Sequence, residues 1–388
     1  MSSLKTIAIV VDPRIAFGQA VMEGVSRFNV EHDAWHILTT SGLPYVPLNL
    51  VGRWKGDGVI GVAGRELGPL LLRRGIPFVN IATYFGGCPV PSVTVDNRAI
   101  GQLAAEHLLD KGLRKFVVVS WREQNRWETR CASFERTVGE AGFPCRRLYV
   151  ADRMWQGEAA GFDLRRVRTL LRRDGQGLGV FAVHDTIARG IVGACREERL
   201  RVPEDVAVLG EGNWRIICEM IRPQLTSVDS GADRVGYRAA QLLAEMMDGA
   251  RPPAEAILIP PRRVVQREST DVLAVDDDLV RRAVRFIKDS YRTGLQVPDV
   301  AEAAASNRRT LEKRFRVALG RTVHEEIRRV RIHAACEMLV QTDMTVQNIV
   351  AACGYKSWER FSAAFRKETG MNPSVFRKTR GYLGGSAH

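Results

Sequence analysis

The spacing of apolar residues in the first two thirds of this chain differs from their spacing in the last third. In the first part, short runs rich in valine and isoleucine alternate with amphipathic stretches. A strand that is covered on both faces is apolar at successive positions, so the runs predict buried parallel strands at 6–11, 58–62, 78–81, 115–120, 179–183 and 206–210. The stretches between them predict helices, among them 18–29, 97–111, 130–141 and 185–196. This alternation predicts an α/β domain whose sheet carries helices on both faces.

The spacing of apolar residues changes after a proline-rich stretch that begins near residue 251. The polar and acidic residues that follow it show no periodicity, which is typical of a linker. We therefore predict a first domain at 4–268, a linker at 269–277 and an all-helical domain at 278–380. The apolar spacing of the last domain predicts helices at 278–290, 297–305, 308–319, 323–341, 346–353 and 358–369.

The helical domain shows one arrangement twice, a short helix, a tight turn and a longer helix with basic residues outside. The two copies are 296–320 and 345–370, and each predicts a helix-turn-helix motif. Helix 323–341 would join them over roughly 30 Å, at ~1.5 Å per residue. One turn of B-DNA is ~34 Å, so both motifs could enter successive major grooves from one side.

The charge of the chain supports a nucleic-acid partner. The formal net charge is +13, and residues 275–388 hold 21 Lys and Arg against 13 Asp and Glu, a surplus of 21 − 13 = +8. A basic surplus favours a polyanion, nucleic acid first and an anionic membrane second. Because the smaller part of the chain holds the larger surplus, the site is expected there.

Several classes of protein find little support in the sequence. The seven cysteines form no Cys-x-x-Cys pair, which fits a reducing cytosol better than a disulfide framework or a zinc site. The chain has no P-loop, no Gly-x-Gly-x-x-Gly after the first strand, no His-Glu-x-x-His and no Gly-x-Ser-x-Gly. With no signal-like start and no membrane-length apolar run, we expect a cytoplasmic protein that is not an enzyme, without cofactor, metal or catalytic site.

A motif in the second helix-turn-helix unit resembles a known family. Ala352-Cys353-Gly354-Tyr355-Lys356-Ser357, followed by Phe361, Phe365-Arg366-Lys367, Gly370 and Asn372-Pro373-Ser374, is similar to the signature of AraC-type (arabinose-regulator) DNA-binding domains. The resemblance covers about 278–378 and implies sequence-specific binding to double-stranded DNA. We expect the glycine and aromatic residues of the motif to stabilise the fold. The exposed polar residues are expected to contact the bases or phosphates of DNA. The predicted DNA-binding residues are Asn307, Arg308, Arg309, Thr310, Lys313, Arg316, Lys356, Ser357, Trp358, Glu359, Arg360, Arg366 and Lys367.

The first domain resembles the sensors of lactose-repressor-type regulators and the periplasmic sugar-binding proteins. The matching segments include Gly56-Asp57-Gly58-Val59-Ile60, Pro203-Glu204-Asp205-Val206 and Leu225-Thr226-Ser227-Val228. The resemblance implies a two-lobed, type I periplasmic-binding-protein-like fold with crossovers near residues 112, 229 and 260. With "R-W-x-T" at 126–129 and "R-x-S-T-D" at 267–271, the whole chain resembles the xylose-operon regulators of the AraC family.

That resemblance implies a small-molecule sugar ligand held between the lobes. Ligands of parallel sheets bind beyond the carboxyl ends of the strands, where hydroxyl partners and a stacking ring are needed. The predicted ligand-binding residues are Phe17, Gln19, Asp96, Trp127, Arg130, Asp185 and Asn213. A helix-capping role for the aspartates and a surface ion pair for Arg130 are the plainer alternatives.

One departure from the family pattern bears on the ligand. After strand 206–210 the family presents Gly-x-Asp-Asn/Asp, whereas this chain has Gly210-Glu211-Gly212-Asn213. An acidic acceptor is therefore missing unless Glu211 turns into the site, which leaves open a non-pentose sugar or another small molecule. The hypothesis is a homodimeric activator that recruits RNA polymerase and responds to a pentose, with a repressor of the same build as the alternative. A transport binding protein and a non-sensing architectural DNA binder are the other classes.

Overall fold

The computed structural model describes residues 4–39, 55–62, 67–82, 90–121, 127–151, 163–272, 277–342 and 344–380. The chain divides into two compact units, Met1–Val272 and Leu273–His388. Residues 273–276 of the predicted linker, and residue 126 of the "R-W-x-T" match, lie outside the described ranges.

The first unit begins with a four-stranded parallel sheet. Its strands are β1 (Lys5–Val10), β2 (Trp35–Thr39), β3 (Gly58–Gly61) and β4 (Phe78–Asn80), in the order β2-β1-β3-β4. A short parallel pair, β5 (Val93–Val95) and β11 (Ile257–Ile259), lies beside it. The helices of this lobe are α1 (Ala16–His32), α2 (Leu67–Arg73) and α8 (Ala232–Met247). The last four residues of β1 and all four residues of β3 are buried, as their apolar runs predict.

A six-stranded sheet forms the other lobe. Its order is β12-β10-β9-β8-β6-β7, and only the β10–β12 pairing is antiparallel among its described strands. The strands are β6 (Lys115–Trp121), β7 (Cys145–Val150), β8 (Leu178–Ala182), β9 (Val206–Glu211), β10 (Thr226–Asp229) and β12 (Arg263–Val265). The helices are α3 (Asn97–Asp110), α4 (Glu128–Glu140), α5 (Arg165–Asp174), α6 (Asp185–Glu197) and α7 (Arg215–Met220).

The chain passes between the two sheets three times. It leaves β5 through α3 to enter β6, returns from β10 through α8, and crosses again from β11 to β12. Two lobes joined by three crossings, each with parallel strands and covering helices, confirm the predicted type I two-lobed α/β fold.

The second unit is all-helical, as predicted. Its helices are α9 (Asp278–Ser290), α10 (Val297–Ala303), α11 (Arg308–Leu319), α12 (Val323–Gln341), α13 (Val346–Ala352), α14 (Trp358–Thr369) and α15 (Pro373–Arg380). One buried apolar cluster includes Val300, Leu311 and Phe315, and a second includes Phe361 and Phe365. Each helix-turn-helix therefore has a core of its own, and both clusters include residues of α12.

The beginning of the predicted linker needs a correction. Ser269 and Thr270 are fully buried in the first unit, within a short 3-10 helix at Glu268–Thr270. Their side chains look polar and linker-like in the sequence, but their hydroxyl groups make hydrogen bonds inside the unit. The first compact unit thus extends past residue 268.

Candidate ligand site and DNA interface

A buried ion pair lies at the centre of the candidate ligand site. Arg130, on α4, has a side chain only 3% exposed, and its Nη1 donates to Oε2 of Glu211 at 2.6 Å. The same nitrogen donates to the carbonyl of Val183 at 2.7 Å, and Nε donates to Oδ1 of Asn97 at 3.0 Å. Arg130 therefore joins the carboxyl ends of β8 and β9 to the beginning of α3. A surface ion pair, the plainer alternative for this residue, is excluded by its burial.

Glu211 turns into the site, although Gly212 stands where the family pattern has an aspartate. Glu211 is the last residue of β9 and is 6% exposed. Gly212 has φ +114°, and a Cβ there would lie 3.5 Å from Oδ2 of Asp185. An aspartate at 212 would be strained and would bring a second carboxylate to Asp185. The acidic side chain of this segment is therefore Glu211, one residue earlier, and it turns inward, where its Oε2 accepts from Arg130.

Asp185 is fully buried at the beginning of α6. Ser227 Oγ donates to its Oδ1 at 2.6 Å, and the backbone N–H of Trp214 donates to its Oδ2 at 2.7 Å. Burial raises the pKa of Asp185 to about 7, although the hydrogen bonds from Ser227 and Trp214 act in the opposite direction. The carboxyl group holds β10 and the loop after β9 in place. The capping role belongs instead to His184, whose Nδ1 accepts from the backbone N–H of Thr186.

Asn213 and Trp127 lie close to these groups. Asn213 has φ +48°, its N–H donates to Ser227 Oγ at 2.9 Å, and its Oδ1 accepts from Arg267 at 2.9 Å. Trp127 packs on Trp121 with ring centroids 4.3 Å apart, and Trp121 lies 5.4 Å from the ring of His184. The loop after β9 and an aromatic stack therefore lie at the same end of the second sheet as Arg130.

The three remaining predicted ligand residues belong to the first lobe and the crossing. Asp96 caps α3, since its Oδ1 accepts from Ala99 N at 3.0 Å, which is the plainer alternative for this residue. Phe17 is half-buried at the beginning of α1, and the exposed Gln19 donates to the carbonyl of Pro13. The structure brings together Arg130, Asp185 and Asn213, with Trp127 nearby. Ligand contact by any of the seven stays a prediction.

Sequence reasoning missed several members of this network. Asn97, Ser227 and Arg267 were not among the predicted residues, because each acts through a partner that is distant along the chain. Arg130 and Glu211 are 81 residues apart, and Arg267 and Asn213 are 54 apart. The signals in the sequence were the "R-x-S-T-D" segment, which contains Arg267, and the segment Leu225-Thr226-Ser227-Val228, and neither indicated these contacts.

The two recognition helices repeat each other at a spacing of 50 residues. Both α11 and α14 are 12 residues long. Asn307 Oδ1 accepts from Thr310 N at 2.9 Å, and Ser357 Oγ accepts from Arg360 N at 3.3 Å, so both are N-caps. The helices end at Gly320 and Gly370, with φ of +69° and +73°.

The predicted DNA-contacting residues differ between the two helices. Arg308, Arg309, Thr310, Lys313 and Arg316 of α11 are all exposed. Around α14, Lys356, Glu359, Arg360 and Lys367 are exposed, and Trp358 is 42% exposed. Arg366 donates twice to Oδ1 of Asn372, which ties α14 to the turn before α15. The surface of α11 is therefore the more cationic, while α14 offers an aromatic ring and charges of both signs.

A buried carboxylate fixes the end of α11 on α12. Glu326 is fully buried, and it accepts from Arg321 at 2.6 Å and from Arg329 at 2.8 Å. Burial alone would raise the pKa of Glu326, but hydrogen bonds and charge from the two arginines outweigh it and lower the pKa to about 2. Because Arg321 follows directly after Gly320, this network ties the residue after the end of α11 to α12.

Among the described residues, no helix is long and apolar enough to cross a membrane, and no group of three or more His, Cys, Asp or Glu side chains could hold a metal ion.

Comparison with known proteins agrees with both units. Residues 105–270 match the periplasmic binding protein-like domain, and residues 300–379 match a helix-turn-helix domain. The chain is 29% identical over 383 residues to the xylose operon regulatory protein of Escherichia coli K12, covering 96% of each. It is 27% identical to the protein of that name from Haemophilus influenzae, over 96% of this chain and 97% of the relative. A solved structure of a xylose-binding transcription activator is 28% identical, covers 98% of this chain and 100% of its own, and has a TM-score of 0.61.

These matches span both units in one order, with a two-lobed sensor first and two helix-turn-helix motifs last. The relatives are transcription regulators rather than enzymes. The chain is a DNA-binding transcription regulator with a periplasmic-binding-protein-like sensor and a helix-turn-helix domain, and it is similar along nearly its whole length to the xylose-operon regulators.

Proposed function

We propose that this protein is a sugar-responsive activator whose ligand is a neutral pentose of the D-xylose type. The observation that carries the proposal is the Arg130–Glu211 pair at the predicted ligand site. Its charges cancel, and its burial leaves Arg130 no free positive charge with which to attract a carboxylate. A neutral, hydroxyl-rich ligand fits such a site better than a sugar acid. The similarity to xylose operon regulators along nearly the whole chain supports the pentose.

The proposed mechanism has three steps. The sugar binds between the two lobes and favours their closure, since a ligand shifts an equilibrium only by its differential affinity for the two states. Closure changes how two protomers pair in a homodimer. Pairing then decides whether two DNA-binding units fit spaced half-sites of a promoter, in the cytoplasm, where the bound protein recruits RNA polymerase.

Thermal unfolding of the purified full-length protein tests the ligand. We expect D-xylose at about 100 times its Kd to stabilise the protein by ~2.7 kcal/mol, which raises the Tm by roughly 5–10 °C. L-Xylose controls for stereospecific binding, and D-xylonate tests the neutral-ligand argument; neither should shift the Tm. A rise with D-xylonate alone would contradict the charge argument. If no pentose or hexose of a panel raises the Tm while promoter binding is intact, the sugar assignment is wrong.

DNA binding by α11 is tested through its salt dependence. Replacing Arg308 or Arg309 by alanine should weaken promoter binding, because both are exposed at the helix start. A lost phosphate contact lowers the slope of log K against log[salt] by about 1, whereas a lost base contact costs ~1–3 kcal/mol at one operator position. Arg285→Ala on α9 is the matched control, since Arg285 is also exposed but lies outside both motifs. Equal effects of all three variants would mean that α11 is not the DNA-contacting helix.

A further inference from the structure

The segment from Arg267 to Asp271, the "R-x-S-T-D" match, has no part in the ligand and DNA contacts proposed above. It begins two residues after the end of β12 and lies near the end of the first unit, before the residues that lead to the DNA-binding unit. A connecting segment is normally exposed and weakly bound. This one has two fully buried hydroxyl side chains, Ser269 and Thr270, and burying a polar group is costly unless it is hydrogen-bonded.

The buried hydroxyl groups fasten the segment to β9 and β10. Ser269 Oγ donates to the carbonyl of Val208 at 2.6 Å and accepts from the N–H of Thr226 at 2.8 Å. Thr270 Oγ1 lies 2.9 Å from Thr226 Oγ1 and 2.9 Å from Nε2 of His107. β9 carries Glu211 of the candidate ligand site at its carboxyl end, and β10 carries Ser227 directly after Thr226, so the segment rests on the same two strands that form the site.

Arg267 reaches from this segment to the ligand site itself. Its guanidinium is 11% exposed, and Nη2 donates to Oδ1 of Asn213 at 2.9 Å while Nη1 donates to the carbonyl of Leu225 at 2.9 Å. Its backbone N–H donates to Thr226 Oγ1 at 2.9 Å. Asn213 in turn donates from its N–H to Ser227, the hydroxyl that is bonded to Asp185. One side chain thus connects the loop after β9 with the backbone of the exit segment.

We infer that Arg267 is a positioning residue that couples occupancy of the ligand site to the segment leading to the DNA-binding unit. The inference rests on the proposed function, because it takes Asn213 to be a ligand contact. A hydroxyl that binds Asn213 competes with or reorients its bond to Arg267, and the backbone bond of Arg267 passes the displacement to the exit segment. This coupling requires the two Nη groups of a guanidinium, because one side chain must donate to Asn213 and to the carbonyl of Leu225 at once.

The coupling is tested first without ligand, because energetic coupling between two sites is reciprocal. Amide hydrogen exchange is measured on the full-length protein. Asn213→Gly removes the pocket-side group and tolerates the positive φ. It should raise exchange several-fold at residues 266–272. Arg267→Met should raise exchange at residues 212–214. Arg222→Met is the control, because Arg222 is exposed and bonds only to nearby carbonyls of Glu219 and Ile221 among its described contacts. If neither distant segment changes, the inference is wrong.

A second measurement uses D-xylose as the probe. Arg267→Met should keep at least half of the sugar-induced rise in Tm, while the sugar-induced change in promoter Kd falls at least five-fold. Arg267→Lys should recover only part of that change, since lysine cannot bind both acceptors in the geometry of the fork. A wild-type DNA response in Arg267→Met would overturn the inference. If D-xylose leaves the wild-type Tm unchanged, the sugar proposal fails, while the exchange result decides the coupling by itself.

Discussion

Replacing Arg130 by methionine is expected to lower the free energy of unfolding of the sensor unit by about 3–5 kcal/mol, the usual cost of removing one partner from a buried ion pair. Methionine fills much of the space of the arginine stem but leaves the buried carboxylate of Glu211 without its cation. It also removes the donors to Asn97 and to the carbonyl of Val183. Urea unfolding followed by circular dichroism measures the change, and loss of any D-xylose-induced rise in Tm is expected with it.

Two further variants separate burial from charge. The first variant is Arg136→Met, on the same helix as Arg130. The side chain of Arg136 is 53% exposed, and it pairs with the exposed Glu140 at 3.5 Å. Surface ion pairs contribute ~0–1 kcal/mol, so this control should change the free energy of unfolding very little. The double variant Arg130→Met, Glu211→Leu removes the uncompensated carboxylate and should recover a large part of the stability. A loss below about 1 kcal/mol for Arg130→Met would show that the pair is solvated and does not organise the site.

Six of the seven helices described in the DNA-binding unit could be predicted almost residue by residue, because the signals that bound them are local, whereas α15 was not predicted. Asn307 and Ser357 begin α11 and α14, and Gly320 and Gly370 end them, as the sequence predicts for 308–319 and 358–369. A cap acts within one turn of the helix, so it is visible in a window of a few residues. For the same reason β1, β3, β4, β6, β8 and β9 of the sensor were found from their apolar runs, whereas the short buried strands β5 and β10 were not predicted.

What the sequence did not reveal depends on contacts between distant residues. Strand β7 (Cys145–Val150) was missed because it is an edge strand whose half-exposed residues break the apolar run. The inward turn of Glu211 could be raised only as an alternative, since its partner Arg130 lies 81 residues away. The hydroxyl groups of Ser269 and Thr270 suggested a linker, and only the packing of β9 and β10 shows why they are buried.

Replacing Glu326 by glutamine is expected to destabilise the DNA-binding unit by about 3 kcal/mol at neutral pH. The difference between the usual pKa near 4.5 and the value of about 2 in the folded protein corresponds to roughly that free energy. The glutamine side chain stays buried but carries no charge to pair with Arg321 and Arg329, which are 18% and 28% exposed. We expect faster amide exchange along α12 and weaker promoter binding, because the end of α11 is no longer held.

The pH dependence of that difference identifies its cause. Because the pKa of Glu326 is lowered in the folded state, its stabilisation is fully present above about pH 4.5 and is lost as the pH falls toward 2. The wild-type protein should therefore lose its advantage over Glu326→Gln progressively in acid, measured as hydrogen exchange at residues 323–341. Glu302→Gln, at an exposed position on α10, should match the wild type at every pH. A difference that stays constant down to pH 3 would mean that packing of the side chain, rather than its charge, holds α11 on α12.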